Sequence, residues 1–227
     1  NGMKKYRKIF GFLAVSSIWI SAASAFGPLL LCHLAGMPPD WRAAIIVFLV
    51  TFAIYSQDKV GGSKEDLQNT PERAVLADYP IRNIAILTYL TAILIAAMES
   101  WQNVFYVLIP GLAGVVYTAK IGSRRLKDIP GMKNLAVAIS SSLCYAGLVG
   151  GAAWTYALIF ILMMIDTVLF DMRDIDGDRA AGVLTIPVLA GRSRTIAILS
   201  ILDLMLAAIS FPVAVYGALL ITYFKKK

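Results

Sequence analysis

Residues 152–178 read AAWTYALIFILMMIDTVLFDMRDIDGD, and this stretch decides the fold. Residues 152–170 are apolar almost throughout; at 1.5 Å per residue they make a helix of roughly 28 Å, about the thickness of a bilayer's hydrocarbon core. Four aspartates then follow closely: Asp171, Asp174, Asp176 and Asp178. One ionised Asp at the centre of a membrane helix costs about 2.5–3.5 kcal/mol, so such a cluster marks a site where something cationic neutralises it. In a helix that continues past residue 170, Asp171, Asp174 and Asp178 are spaced i, i+3, i+7 and share one face, while Asp176 points off it. Acceptor oxygens converging at a helix end suit a hard divalent cation. Mg2+ prefers oxygen ligands and is commonly held by one or two carboxylates plus substrate phosphate.

The rest of the chain repeats the apolar pattern. It is 59% hydrophobic and 15% charged with a mean hydropathy of +0.72, outside the range of soluble domains. Apolar spans are predicted at 9–33, 41–57, 81–98, 102–119, 134–150 and 152–170, followed by a stretch from 195 to 224. That last stretch would be about 45 Å long as one helix, and Pro212 offers a break, so the count is seven or eight. The expected fold is all-α, a polytopic transmembrane helical bundle. Asn1 and Gly2 ahead of Met3 read as an expression remnant, leaving 3–227 as a single transmembrane domain. Cys32 and Cys144 lie within apolar stretches and read as small buried hydrophobes.

Charge orients the bundle. With the N-terminus cytoplasmic, Lys4 to Lys8 and every charged loop after an even-numbered span lie inside, and Arg42 is the one clear exception. Lysines 225–227 join the inner side if there are eight spans. Asp58 and Asp66, Asp171 to Asp178, and the basic loop between them then share one side of the membrane. That arrangement describes a one-sided active site, and charges gathered at one face argue against a midplane ion path.

The first acidic cluster runs from Asp58 to Asp66, with Gly61 and Gly62 making a turn, and is followed by Asn69, Pro71 and Arg73. The basic loop carries Tyr117, Lys120, Arg124, Arg125, Lys127, Pro130, Lys133 and Asn134. Beside two carboxylate clusters it reads as a phosphate-binding segment, because Mg2+ with flanking Arg and Lys grips a diphosphate that bare carboxylates would repel. Asp166, within the sixth span, is a candidate cavity residue. His33 is the only histidine and sits on the outer side, which disfavours histidine-based metal or triad chemistry.

Asp171-Met-Arg-Asp174-Ile-Asp176-Gly177-Asp178, then Gly182, Thr185-Ile186-Pro187-Val188 and Gly191, resemble the second motif of the UbiA superfamily of intramembrane prenyltransferases, as in its archaeal and bacterial members. The loop with Tyr117, Leu126-Lys127, Pro130 and Lys133-Asn134 is similar to the family's loop after the fourth helix. The first motif departs from the family pattern. With Asn69, Pro71 and Arg73 aligned, Asp58 stands at the family's Asn, Lys59 at its first Asp, Gly62 at its middle Asp and Asp66 at its last. Family members usually have nine spans, so the C-terminal end here is shortened or incompletely represented.

The resemblance implies a central lipid-facing cavity with its active site at the cytoplasmic mouth. It implies Mg2+ as cofactor, held by Asp58, Asp66, Asp171, Asp174 and Asp178. It implies a diphosphate held by Asn69, Arg73, Lys120, Arg125, Lys127 and Lys133, with Tyr117 near the reacting carbon. The partners are a prenyl diphosphate, a lipophilic acceptor (an aromatic or quinone precursor, or a glyceryl ether) and membrane lipid; no nucleic acid is expected. Two readings of function stand: a Mg2+-dependent prenyltransferase, or a non-catalytic relative that binds isoprenyl diphosphate or lipid, which Lys59 and Gly62 motivate. For the enzyme, Asp171→Ala, Asp174→Ala or Asp178→Ala each abolishes transfer and Asp176→Ala is milder. Parent-like activity in Asp174→Ala, measured with a labelled prenyl diphosphate, would sink the metal assignment.

Overall fold

The structure, a computed structural model, describes residues 17–60, 80–118, 120–121, 124–125 and 129–225. Among the described residues the regular structure is helical except for one short antiparallel ladder, and the chain divides into two compact units, Asn1–Gly111 and Leu112–Lys227.

The first unit holds α1 (Ile18–Leu34), α2 (Trp41–Val60), α3 (Ile81–Glu99) and the start of α4 (Trp101–Thr118). Asp40 starts α2, its Oδ1 accepting the backbone N–H groups of Arg42 and Ala43 at 3.0 Å each. α1 packs on α2 and α2 on α3. Alanines 43, 44, 53, 85, 92 and 96 are buried, and such small residues let helix backbones approach closely where no apolar driving force separates helix from lipid. At one end of this unit Arg42 Nε pairs with Glu99 at 3.0 Å, and Asn103 donates to the same carboxylate at 2.8 Å. That contact ties the beginnings of α2 and α4 to the end of α3.

α4 contains Pro110, which lacks an N–H and opens the turn around the Tyr106 carbonyl. The Tyr89 hydroxyl of α3 donates to the next carbonyl along that turn, Val107, at 2.8 Å. Gly111 makes the approach possible, since a Cβ there would collide with the Tyr89 ring and hydroxyl.

The second unit continues α4 and adds β1 (Lys120–Ile121) and β2 (Arg124–Arg125), paired Lys120 to Arg125 and Ile121 to Arg124. Then come α5 (Met132–Val149), α6 (Ala153–Arg173), α7 (Ile175–Ala181), α8 (Ile186–Ala190), α9 (Arg192–Ile209) and α10 (Phe211–Lys225). The expected last span from 195 to 224 is therefore two helices. Ser210 is extended between them, and Pro212 sits in the first turn of α10, where its missing N–H costs nothing. α5 ends on Gly150 at φ +70, with Gly150 and Gly151 donating back to Gly147 and Ala146. That tight turn sends α6 back along α5, so the start of α5 meets the end of α6. α9 packs on α6 and α10 on α9.

Three helices, α3, α5 and α6, are long and apolar enough to cross a membrane, and α1, α2, α4 and α10 contain shorter apolar stretches. The outer faces are greasy: Met98 is 87%, Trp101 83% and Leu204 73% exposed. Large apolar side chains bared on so many helices fit a lipid surround rather than water. The protein is a multi-pass membrane protein.

Gly111→Ala is expected to lower the thermal midpoint in detergent, by about 1–3 kcal/mol of overpacking strain. A smaller loss is expected in a Tyr89→Ala background, where the obstructing ring is gone. Equal losses in the two backgrounds would show that Tyr89 does not set the requirement for glycine.

Candidate active site

The site lies where the start of α5 meets the end of α6. Asp171, in the last turn of α6, is only 2% exposed. Its two oxygens have separate partners: Lys133 Nζ donates to Oδ1 at 3.1 Å and Asn134 Nδ2 to Oδ2 at 2.9 Å. A hydrogen bond to an ionised group contributes about 1.5–3 kcal/mol, so two such donors offset much of the cost of burying the Asp171 oxygens. The two partners differ. Asn134 is 1% exposed, whereas the Lys133 side chain is half exposed.

The expected continuous helical face is interrupted. α6 ends at Arg173, Asp174 stands between helices with φ −97 and ψ 10, and α7 resumes at Ile175. The hydrogen-bond rhythm survives, with Asp174 N–H donating to Phe170 at 3.2 Å and Asp178 N–H to Asp174 at 2.9 Å. The chain therefore bends at Asp174 without losing its turn. The bend lets Arg173 fold onto Asp174, Nε and Nη2 donating to the two carboxylate oxygens at 2.7 and 2.8 Å. Gly182 closes α7 at φ +74, its N–H and that of Val183 returning to Arg179 and Asp178. Asp176 points off the site, with its side chain 97% exposed.

Asp178 carries the electrostatic signature of the cluster. Burial, and then the negative charges of Asp171 and Asp174, push its carboxyl up to about 6 from an ordinary 3.8, against the pull of Lys133. Thr185, buried at the start of α8, makes no cap hydrogen bond with its side chain. Its buried hydroxyl lies beside Asp178 and pulls that carboxyl back down against the burial and the neighbouring charges. Among the described residues no three His, Cys, Asp or Glu side chains are already arranged around a metal-sized point. The donor set nonetheless fits Mg2+. Its groups are all hard oxygens, and the charges of Asp171 and Asp174 bear on Asp178 in the absence of a cation.

The other sequence candidates fall elsewhere. Asp58 is in the last turn of α2, Tyr117 near the end of α4, Lys120 in β1 and Arg125 in β2. Asp66, Asn69, Arg73 and Lys127 lie outside the described residues. Sequence reasoning did not assign Asn134 or Thr185 a role. Both stood in quoted motifs, directly after Lys133 and at the head of Thr185-Ile186-Pro187-Val188, so their polarity next to site residues was the available signal.

Residues 11–225 match the family model described as the UbiA prenyltransferase family. The chain belongs to the UbiA prenyltransferase family. It is 30% identical over 188 residues to the digeranylgeranylglyceryl phosphate synthase of Thermococcus kodakarensis, covering 78% of this chain and 67% of that protein. The synthase of the same name from Pyrococcus horikoshii is 24% identical, over 78% of this chain and 66% of its own length. The chain thus spans about two thirds of the length of these relatives. Among solved structures it is similar to a UbiA homolog from Archaeoglobus fulgidus bound to DMAPP and Mg2+, with a TM-score of 0.61, 18% identity, and coverage of 92% of this chain and 84% of that one. The GPP- and Mg2+-bound structure of an A. fulgidus UbiA homolog matches with a TM-score of 0.57 at 20% identity, over 97% of this chain and 84% of that one. The fold is that of the UbiA family.

Because the folded chain favours the neutral form of Asp178, its contribution to stability is present below pH 3.8 and is lost as pH rises through about 6. Asp178→Asn should therefore raise the thermal midpoint of the metal-free protein at neutral pH. It should also flatten the decline in stability between those two pH values. A variant whose pH profile overlays that of the parent would show that Asp178 does not titrate as its burial and its carboxylate neighbours require.

Proposed function

We propose that this protein is a Mg2+-dependent intramembrane prenyltransferase, moving a polyprenyl group from a prenyl diphosphate to a glyceryl phosphate lipid. One observation carries the reading: a buried Asp171 held by Lys133 and Asn134, beside an Asp178 that burial and then its carboxylate neighbours make reluctant to ionise. Such a group of carboxylates calls for a cation, and the half-exposed Lys133 ammonium suits an anion brought with it.

Asp171 and Asp178, with Asp174, would hold the metal, and Asp58 and Asp66 of the first motif are its further candidate ligands. Bound Mg2+ supplies positive charge to the diphosphate oxygens, which gain charge as the allylic C–O bond breaks. Lys133 grips the diphosphate, and Asn69, Arg73, Lys120, Arg125 and Lys127 are the further candidates for its oxygens. These cations stabilise the separating charge more than the intact substrate, which is what accelerates ionisation. Tyr117 is the candidate for stabilising the allylic cation through its ring. The acceptor oxygen then forms the new C–O bond and loses its proton, while the apolar surroundings keep water from intercepting the cation. The prenyl tail lies among the helices in a central cavity. The mouth of that cavity, and the N-terminus, face the cytoplasm, following the basic residues, and residues 3–227 act as one domain.

The relatives named as digeranylgeranylglyceryl phosphate synthases favour the glyceryl phosphate acceptor over an aromatic or quinone precursor. They also speak for transfer rather than for binding without turnover. Purified protein in detergent, given Mg2+, labelled geranylgeranyl diphosphate and a panel of glyceryl phosphate, aromatic and naphthoquinoid acceptors, should label the glyceryl phosphate lipid and release diphosphate. Removing Mg2+ with a chelator should stop both. Mg2+-dependent binding of the diphosphate with no product and no release would instead establish the non-catalytic binder.

A further inference from the structure

Lys133 and Asn134 are neighbours in the first turn of α5, and both donate to Asp171, but they are not equivalent. Lys133 has a long stem, a half-exposed side chain and a charge that a phosphate can claim. Asn134 is 1% exposed, has a short side chain and is enclosed between α5 and α6, so its amide has no other place to go. We propose that Asn134 is a positioning residue: its Nδ2 fixes the plane of the Asp171 carboxylate through Oδ2, while Lys133 is the exchangeable partner that leaves Oδ1 to a divalent cation. This inference rests on the metal-dependent reading of the site.

The geometry gives the reason. A carboxylate at the end of a helix rotates about χ2 unless something holds it, and a metal ligand that must first be ordered binds more weakly. One donor on each oxygen fixes the Asp171 plane in the metal-free protein. When the diphosphate draws the Lys133 ammonium away, only Asn134 remains to keep that plane. The backbone reinforces this, because Asn134 is placed by the turn at Gly131, whose φ of +76 starts α5 and whose carbonyl accepts the Leu135 N–H at 3.0 Å. The oxygen that Lys133 vacates, held by its ammonium at 3.1 Å, lies at the end of α6, just before the α7 turn that carries Asp178. Outer partners of metal-binding carboxylates generally set affinity by about 10–100-fold.

The test uses the full chain in detergent and two probes, Mg2+ alone and Mg2+ with inorganic diphosphate. Each is read by the thermal midpoint as Mg2+ is titrated, alongside the Mg2+ dependence of transfer. In Asn134→Ala the Mg2+ midpoint should rise about tenfold or more in both assays, with the maximal rate at saturating Mg2+ falling less. In an Asp171→Asn background, adding Asn134→Ala should produce no further rise, since the carboxylate it positions is absent. An Asn134→Ala protein with a lower thermal midpoint but an unchanged Mg2+ midpoint would overturn the proposal and leave Asn134 a packing residue. Should Asn134→Ala not fold, Asn134→Ser removes the reach to Oδ2 at smaller volume cost and carries the same expectation. If the parent itself shows neither a Mg2+-dependent shift nor diphosphate release, the metal-dependent reading fails and this inference falls with it. If the parent responds and Asn134→Ala tracks it, only the positioning role is refuted.

Discussion

The constraint on which this site depends is a negative charge buried at the edge of a membrane. Asp171 is almost fully enclosed at the end of α6, where polar oxygens without partners would be costly. They have partners because α5 turns back against α6 and delivers Lys133 and Asn134 to the two oxygens. The contact is therefore at once a fold element and a functional one. It joins the ends of two adjacent helices, and it holds the carboxylate in one orientation.

Two local departures from regular helix make the arrangement possible. Gly150 permits the tight turn that returns the chain along α5, and the bend at Asp174 lets α7 leave the axis of α6 while the hydrogen-bond rhythm continues. The bend separates the roles of the acids. Asp171 turns inward to its two donors, Asp174 is taken by Arg173, and Asp178 is left near both with only weak compensation. A straight helix would have presented equivalent carboxylates on one face. The bent one presents a saturated acid, a paired acid and an acid whose charge is unwelcome until a cation arrives.

The first unit carries polarity of another kind. Arg42 pairs with Glu99, and Asn103 shares that carboxylate. Among the described residues this cluster, the Asp40 cap and the Ser100 hydroxyl that accepts the Asn103 N–H give polar partners to that unit's helix ends. Tyr89 serves the interior likewise, giving a hydrogen bond to a carbonyl in the turn that Pro110 opens. In lipid, an unpaired backbone group has no water to fall back on.

Much of this was legible from residue order. Apolar runs of membrane length, broken by glycine and proline, determined that the chain is a helical membrane protein, because their period and length leave a buried backbone no other way to satisfy itself. The aspartate spacing and the Thr185-Ile186-Pro187-Val188 string pointed to the family and to the end of α6 as the site. What residue order could not reach was the interruption at Asp174, the division of the 195–224 stretch at Ser210, and the identity of the groups holding Asp171. A local spacing rule assumes one continuous helix, whereas the break depends on how α7 and α8 pack. Asn134 and Asp171 are 37 positions apart. Only the return of α6 along α5 brings them to 2.9 Å, because a hydrogen bond between distant residues is created by the turn that joins their helices and not by either helix alone.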